Sequence, residues 1–310
     1  MNKVYIGSRS ITANGHYALK RLEKYGLELI FGPPGQRPTE EDLLRDLPEC
    51  VAYLAGTEVI NKKVLTATKN LKVISRNGVG IENIDLEAAE ELGIKVETTP
   101  GSNAQGVAEL AITLLLTSLR SVPSCSSDLK KGEWKRIKGI EIDRRTLGII
   151  GLGNIGKSVA SMALGLRMKV LGYDPFTFGN FNPSNDFEYT SFDELLSNSH
   201  FISLHLPPAK KPIIDSKAIS KMKKGVYIIN TARAGVVDED AILDGLNEEK
   251  IAMYATDVYK TEPPEINDLI LHPRTICTPH IGAFTTESID RAMSRAVDKI
   301  LEVLGFIYDD

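Results

Sequence analysis

The sequence predicts an α/β protein of two doubly wound, parallel-sheet domains separated by a cleft. Three observations carry that expectation. Short apolar runs rich in valine and isoleucine recur along the 310 residues. Segments with helical apolar spacing lie between most of them, and two longer helical stretches stand where the chain could cross from one sheet to another. Strands buried on both faces read as continuous apolar runs, and parallel neighbours need a crossover connection, so the alternation points to repeated βαβ units.

Taken in order, the first runs are VYIG (4–7), LELIFG (27–32), VAYLAG (51–56), KVIS (72–75) and IKVETT (94–99), with helical spacing in HYALKRLEKYG and DLEAAEELG. After the turn-rich TTPGSN comes a long helical stretch, NAQGVAELAITLLLTSLRSV (103–122). Six more runs follow: TLGIIG (146–151), KVLGYD (169–174), FISLHL (201–206), VYIINT (226–231), MYATDV (253–258) and TICTP (275–279). A last helical stretch, TTESIDRAMSRAVDKILEVLGFI, covers 285–307. Turn-rich joints before the two long helices are the natural crossing points. They divide the chain into a discontinuous domain of residues 1–99 and 285–310, expected to bind substrate, and a second domain of residues 100–284, expected to bind a cofactor.

Composition narrows the function. The chain is 42% hydrophobic and 25% charged with a formal net charge of −4, and its basic residues are dispersed. That leaves no electrostatic footprint for nucleic acid or an anionic membrane, and points to a small-molecule partner. Cys50, Cys125 and Cys277 are widely separated with no CxxC pair, against a disulfide framework or structural zinc, so no metal and a reducing compartment are expected. No apolar stretch approaches a membrane span and the N-terminus has only a four-residue apolar run, which leads us to expect a cytoplasmic protein. The polar segment 123–145 carries Trp134 among seven Lys and Arg residues. It reads as a solvated face or as an arm that packs on a second subunit.

Gly151-Leu152-Gly153-Asn154-Ile155-Gly156 matches G-x-G-x-x-G, directly after the strand-like TLGII and opening the helix-like KSVASMALGLRM. In that context the first glycine allows a tight turn, the second lets backbone approach a pyrophosphate, and the third permits close helix packing. This makes residues 100–284 Rossmann-like. Asp174, ending the next run 23 residues after Gly151, is placed to accept from adenine ribose hydroxyls. It would repel a 2′-phosphate and no arginine follows closely, so NAD is expected rather than NADP.

Three further residues stand at ends of apolar runs: Arg233 after VYIINTA, Glu262 after MYATDVYKT and His280 after TICTP. Carboxyl ends of parallel strands border the ligand crevice in such folds. Reduction of a 2-keto acid needs a hydride, a proton for the carbonyl oxygen and a cation for the carboxylate. Histidine, with an ordinary pKa near neutrality, suits the proton; glutamate orients and charges it; arginine suits the carboxylate.

Beyond these residues, the chain resembles the D-isomer-specific 2-hydroxyacid dehydrogenases. The resemblance spans nearly its whole length through RNGVGIENIDLEAAEELGIKVETTPGSNAQGVAEL, TLGIIGLGNIGKSVA, KKGVYIINTARAGVVDEDAI, ATDVYKTEPP and TPHIGAFT. It implies catalytic roles for Arg233, Glu262 and His280, and a nicotinamide-carboxamide contact for Asp257. It also implies cofactor contacts at Asn154, Ile155, Asp174, Leu206, Pro207, Thr231, Ala232 and Gly282, and a substrate-carboxylate loop at Asn77, Gly78, Val79 and Gly80. A homodimer through the NAD-binding domains is implied as well, in keeping with an arm around Trp134.

The phosphoglycerate dehydrogenase-like branch is nearest, without its frequent C-terminal regulatory extension, so serine feedback is not expected. Where that branch has an Arg-Ser pair this sequence has Ala55-Gly56, which removes a phosphate ligand that Arg9 would have to replace. Ala209-Lys210-Lys211-Pro212 replaces threonine-bearing positions, and His205 reads as adenine-side packing. The expected activity is interconversion of a D-2-hydroxy acid and its 2-keto acid, with 3-phosphoglycerate or glyoxylate and hydroxypyruvate as candidates. A formate- or phosphite-type dehydrogenase and a non-enzymatic, NADH-sensing corepressor-like module are the alternatives.

Overall fold

The structure, a computed structural model, describes residues 2–176 and 181–306. Ile307, the expected end of the last helical stretch, lies outside them. The chain divides into two compact units, Met1–Asn103 with Thr286–Asp310, and Ala104–Thr285.

The first unit holds β1 (Lys3–Ile6), β2 (Glu28–Phe31), β3 (Cys50–Ala55), β4 (Val73–Arg76) and β5 (Lys95–Glu97) in the order β2-β1-β3-β4-β5. Every pairing is parallel. Alternate residues feed two cores: Val4, Ile6, Ala52 and Leu54 enter one, Tyr5, Tyr53 and Ile74 the other. That two-sided burial is why the strands read as unbroken apolar runs. The helix Thr286–Leu304 lays Met293, Ala296, Val297, Ile300 and Leu301 on the first of these cores. Each fully buried large side chain contributes about 1.5–3 kcal/mol, so the last helix is held chiefly by the sheet. The Ser75 hydroxyl adds a bond to the Ala296 carbonyl at 2.8 Å.

The second unit holds β6 (Thr146–Ile150), β7 (Lys169–Tyr173), β8 (Phe187–Tyr189), β9 (Phe201–Leu204), β10 (Val226–Asn230), β11 (Ile251–Thr256) and β12 (Thr275–Cys277). Their order is β12-β11-β10-β9-β6-β7-β8, again all parallel. The chain runs one way from β6 to β8 and the other way from β9 to β12. The strand order therefore reverses between β6 and β9, where doubly wound folds bind ligands beyond the carboxyl ends.

Two local features depart from the sequence pattern. β8 is a three-residue edge strand with only Phe187 buried, too short to show as an apolar run. Segment 123–145 is not extended throughout: Ser121 adopts φ 48° and the chain restarts as the helix Val122–Lys130, bent by 61° from Ala104–Arg120. Among the described residues no single helix is long and apolar enough to cross a membrane.

Candidate active site

At the end of β6 the glycines are fixed by close packing. Gly151 has φ 97°, and a Cβ on it would lie 2.4 Å from the His205 carbonyl oxygen, where β9 leaves the sheet. A Cβ on Gly156 would lie 1.9 Å from the Gly151 carbonyl oxygen, a clash with backbone that cannot yield. Gly153 is different: nothing lies within 4 Å of its Cβ position, and it caps the helix Asn154–Gly165. The turn thus leaves open space at a helix N-terminus, where backbone N–H groups and the helix dipole favour a pyrophosphate. Asp174, just past β7, accepts from the Leu152 N–H at 2.7 Å and the Phe176 N–H at 2.9 Å, which ties its carboxylate to this turn. Those residues fit a dinucleotide. Leu206 and Pro207 follow from the β9 exit. His205 is enclosed beside the Ser203 hydroxyl at 2.8 Å, and burial pushes its imidazole down to about 3, which keeps it neutral and suits packing.

The exits of β10, β11 and β12 are bound together. Asn230, fully buried at the end of β10, donates from its side-chain nitrogen to the Arg233 carbonyl at 3.0 Å and accepts from the Ala232 N–H at 3.1 Å. That bracket sets the Thr231-Ala232-Arg233 turn, after which Arg233 leads into the 3₁₀ turn Ala234–Val236. Across the sheet the Asp257 N–H donates to the Asn230 carbonyl at 3.0 Å. The buried Asp257 carboxylate accepts from the Thr278 hydroxyl at 2.6 Å, the Ile281 N–H at 2.8 Å and the Gly282 N–H at 2.8 Å. It is the anchor of the loop that carries His280. Gly282 packs tightly there: a Cβ would lie 3.1 Å from the Asp257 carboxylate and 3.3 Å from Val107, so those side chains would have to give by a few tenths of an ångström. His280 itself sits at φ 51°, and its Nδ1 lies 2.7 Å from Glu262 Oε1.

The first unit has its own polar edge at the exits of β1, β3 and β4. The Asn77 N–H donates to the Ala55 carbonyl at 2.9 Å, and the Gly78 carbonyl accepts from the Thr99 N–H at 3.0 Å. Gly78 adopts φ 141°, and the Arg76 guanidinium lies over it, with Nη1 1.7 Å from the Cβ position. Val79 is exposed at the loop tip.

Residues 112–282 match the family profile "D-isomer specific 2-hydroxyacid dehydrogenase, NAD binding domain". Hydroxypyruvate reductase of Thermotoga maritima is 40% identical over 299 residues, covering 92% of this chain and 96% of that protein. The chain belongs to the D-isomer-specific 2-hydroxyacid dehydrogenase family. This dehydrogenase is also 40% identical over 295 residues to D-3-phosphoglycerate dehydrogenase of Methanocaldococcus jannaschii, covering 93% of this chain but 55% of that protein. NAD⁺-bound 3-phosphoglycerate dehydrogenase of Entamoeba histolytica superimposes with a TM-score of 0.81 at 31% identity, covering 100% and 99% of the two chains. The dehydrogenase is an NAD-dependent oxidoreductase of 2-hydroxy acids.

Within the second unit of the dehydrogenase, then, Glu262 and His280 meet directly, Arg233 and Asp257 are joined through Asn230, and Gly151, Gly153, Gly156 and Asp174 share one turn. Asn77 to Gly80 belong to the first unit. Reading the sequence missed Asn230 and Thr278, which hold catalytic candidates in place, and Arg76 and Ser8 beside the substrate-loop candidate. Asn230 had a signal, an amide closing an otherwise apolar strand; the others are brought together only by sheet order.

Proposed function

We propose that the dehydrogenase interconverts a small, unphosphorylated D-2-hydroxy acid and its 2-keto acid, with hydroxypyruvate or glyoxylate ahead of any phosphorylated substrate. The observation that carries this reading is the 2.7 Å hydrogen bond from His280 to Glu262, a proton donor and its orienting carboxylate at the exits of a dinucleotide-binding sheet. NADH, when bound, supplies the hydride. Gly153, Asn154 and Ile155 present the helix N-terminus to its pyrophosphate, and Asp174 accepts from the adenine ribose. Leu206, Pro207, Thr231, Ala232, Asp257 and Gly282 border it. His280 gives a proton from Nε2 to the carbonyl oxygen, because Nδ1 is committed to Glu262, and Glu262 stabilises the imidazolium formed in the reverse direction. Arg233 holds the substrate carboxylate and polarises the ketone. In the first unit's loop the Asn77 and Gly78 N–H groups are taken by the Ala55 and Arg76 carbonyls at 2.9 and 2.8 Å, so of the four residues expected to bind a carboxylate the loop offers the N–H groups of Val79 and Gly80.

Loss of a cation at Ala55-Gly56 weighs against phosphate. Arg9 is exposed in the first turn of the helix Arg9–Asn14, whereas Arg76 lies over the substrate loop, so Arg76 is the stronger candidate for any further anion. A panel of glyoxylate, hydroxypyruvate, pyruvate and 3-phosphohydroxypyruvate, followed by NADH absorbance, is expected to show turnover of the unphosphorylated acids and preference for NADH over NADPH. Preference for the phosphorylated acid would overturn the substrate assignment. Oxidation of formate or phosphite without keto-acid reduction would favour that class of dehydrogenase, and tight NADH binding without any turnover would favour a corepressor-like sensor.

We further infer a cytoplasmic homodimer formed through the NAD-binding units. Trp134 is 82% exposed and Leu129 57% exposed on a segment with little core of its own, as an arm awaiting a second subunit would be. Sedimentation equilibrium is expected to give twice the 34.0 kDa chain mass; a single-chain mass would remove the inference.

A further inference from the structure

Glu262 and His280 stand on exposed loops, yet proton transfer demands that the pair keep a fixed geometry. Asp257 anchors the His280 loop through Thr278, Ile281 and Gly282. Tyr259, two residues further along and three before Glu262, is half-buried and binds to both loops. Its backbone N–H donates to Glu262 Oε1 at 3.4 Å, the oxygen that also lies 2.7 Å from His280 Nδ1. Its hydroxyl donates to the Thr278 carbonyl at 2.8 Å, the oxygen that also accepts from the His280 N–H at 3.0 Å across Pro279. Tyr259 and His280 thus share the same two oxygens, and the four contacts close a ring that contains the proton-transfer pair.

The hydroxyl bond is the firmer of the two that Tyr259 makes. At 3.4 Å the contact with Glu262 is long for an N–H···O bond. The phenol, by contrast, is at ordinary hydrogen-bond distance, and burial raises its pKa, which keeps the proton in place to be donated. The ring borders a cavity of about 330 Å³ together with Tyr254, Thr275 and Cys277, so packing does not enclose it on every side. His280 sits at φ 51°, a conformation that a residue other than glycine keeps only where its surroundings hold it. The carbonyl that receives the Tyr259 hydroxyl is the one that fixes that turn.

We propose that Tyr259 is a positioning residue for proton transfer, its hydroxyl tying the Glu262 loop to the Thr278 carbonyl and so aiming the His280 imidazole. The proposal rests on the reading of His280 as the proton donor. In this role Tyr259 acts through His280 and needs to touch no reacting atom.

The test is Tyr259→Phe, which keeps the ring and the backbone N–H, made both in the wild type and in His280→Ala. Reduction of glyoxylate and hydroxypyruvate is followed by NADH absorbance in single turnovers. In the wild-type background the rate is expected to fall about tenfold, since a displacement of about 1 Å at a reacting group costs up to about a hundredfold. The keto-acid KM and the Kd for NADH are expected to stay at wild-type values. In His280→Ala the substitution is expected to have no further effect, because the group it positions is gone. A merely structural role would lower the rate in both backgrounds and weaken NADH binding with it. Should Tyr259→Phe not fold, Tyr259→Leu, which also lacks the hydroxyl, is held to the same comparison. The proposal is overturned if the variant keeps the wild-type rate, or if it lowers the rate by the same factor with and without His280. If His280→Ala itself keeps the wild-type rate, the proton-donor reading falls, and the positioning role with it.

Discussion

Replacing His280 with alanine is expected to lower kcat for keto-acid reduction by about a thousandfold, within the ~10²–10⁴ that a positioned general acid contributes. Geometry makes the loss specific. The loop around residue 280 is held by Asp257 through Thr278, Ile281 and Gly282, none of which the substitution touches. NADH affinity, read by fluorescence titration, should therefore change little. Because residue 280 sits at φ 51°, His280→Asn is the better control for backbone strain, since asparagine tolerates that region and alanine less so. Glu262→Gln should cost less, because a neutral amide still reaches Nδ1 but no longer favours the imidazolium. Single-turnover rates separate these effects from product release. If His280→Ala and His280→Asn both retain more than about a hundredth of wild-type kcat, a figure at the floor of general-acid effects, the proton lies elsewhere.

Arg233→Gln is expected to reduce kcat/KM by about a thousandfold, equivalent to roughly 4 kcal/mol of transition-state binding. The planar guanidinium offers paired donors and positive charge to a carboxylate. The Arg233 backbone is held by the Asn230 amide and by the 3₁₀ turn that follows; the substitution removes the cation together with the Nη1–H bond to the Ala232 carbonyl at 2.8 Å, and leaves the Asn230 bracket in place. Arg233→Lys should recover only part of the loss, since lysine restores charge but not the planar fork. A glutamine variant within tenfold of wild type for every 2-keto acid would remove Arg233 from the mechanism.

What the sequence disclosed followed from how local each requirement was. Gly151, Gly153 and Gly156 act within six consecutive residues, so their spacing alone carried the turn. Strands buried on both faces announced themselves as apolar runs, whereas β8, three residues at a sheet edge, buries too little to leave a pattern. Arg233, Glu262 and His280 were legible as polar residues closing apolar runs. Asn230 and Asp257 tie those side chains together across β10 and β11, a relation that depends on register between strands far apart in sequence. Ser8 and Asn77 are a clearer case still: they bond at 3.0 Å because β1 and β4 flank β3, an order no short-range pattern encodes.

The first sheet depends on the last helix of the chain, and that ordering bears on synthesis. Val4 and Ile6 share their hydrophobic core with Met293, Ala296, Val297, Ile300 and Leu301. Units ordinarily fold in the order in which they leave the ribosome, N-terminal first. Here residues 4 and 6 cannot bury that face until residues 293–301 have been made, while the continuous segment Ala104–Thr285 has all its strands in hand beforehand. The nucleotide-binding unit is thus equipped to mature on the nascent chain, and the other unit waits for the helix Thr286–Leu304.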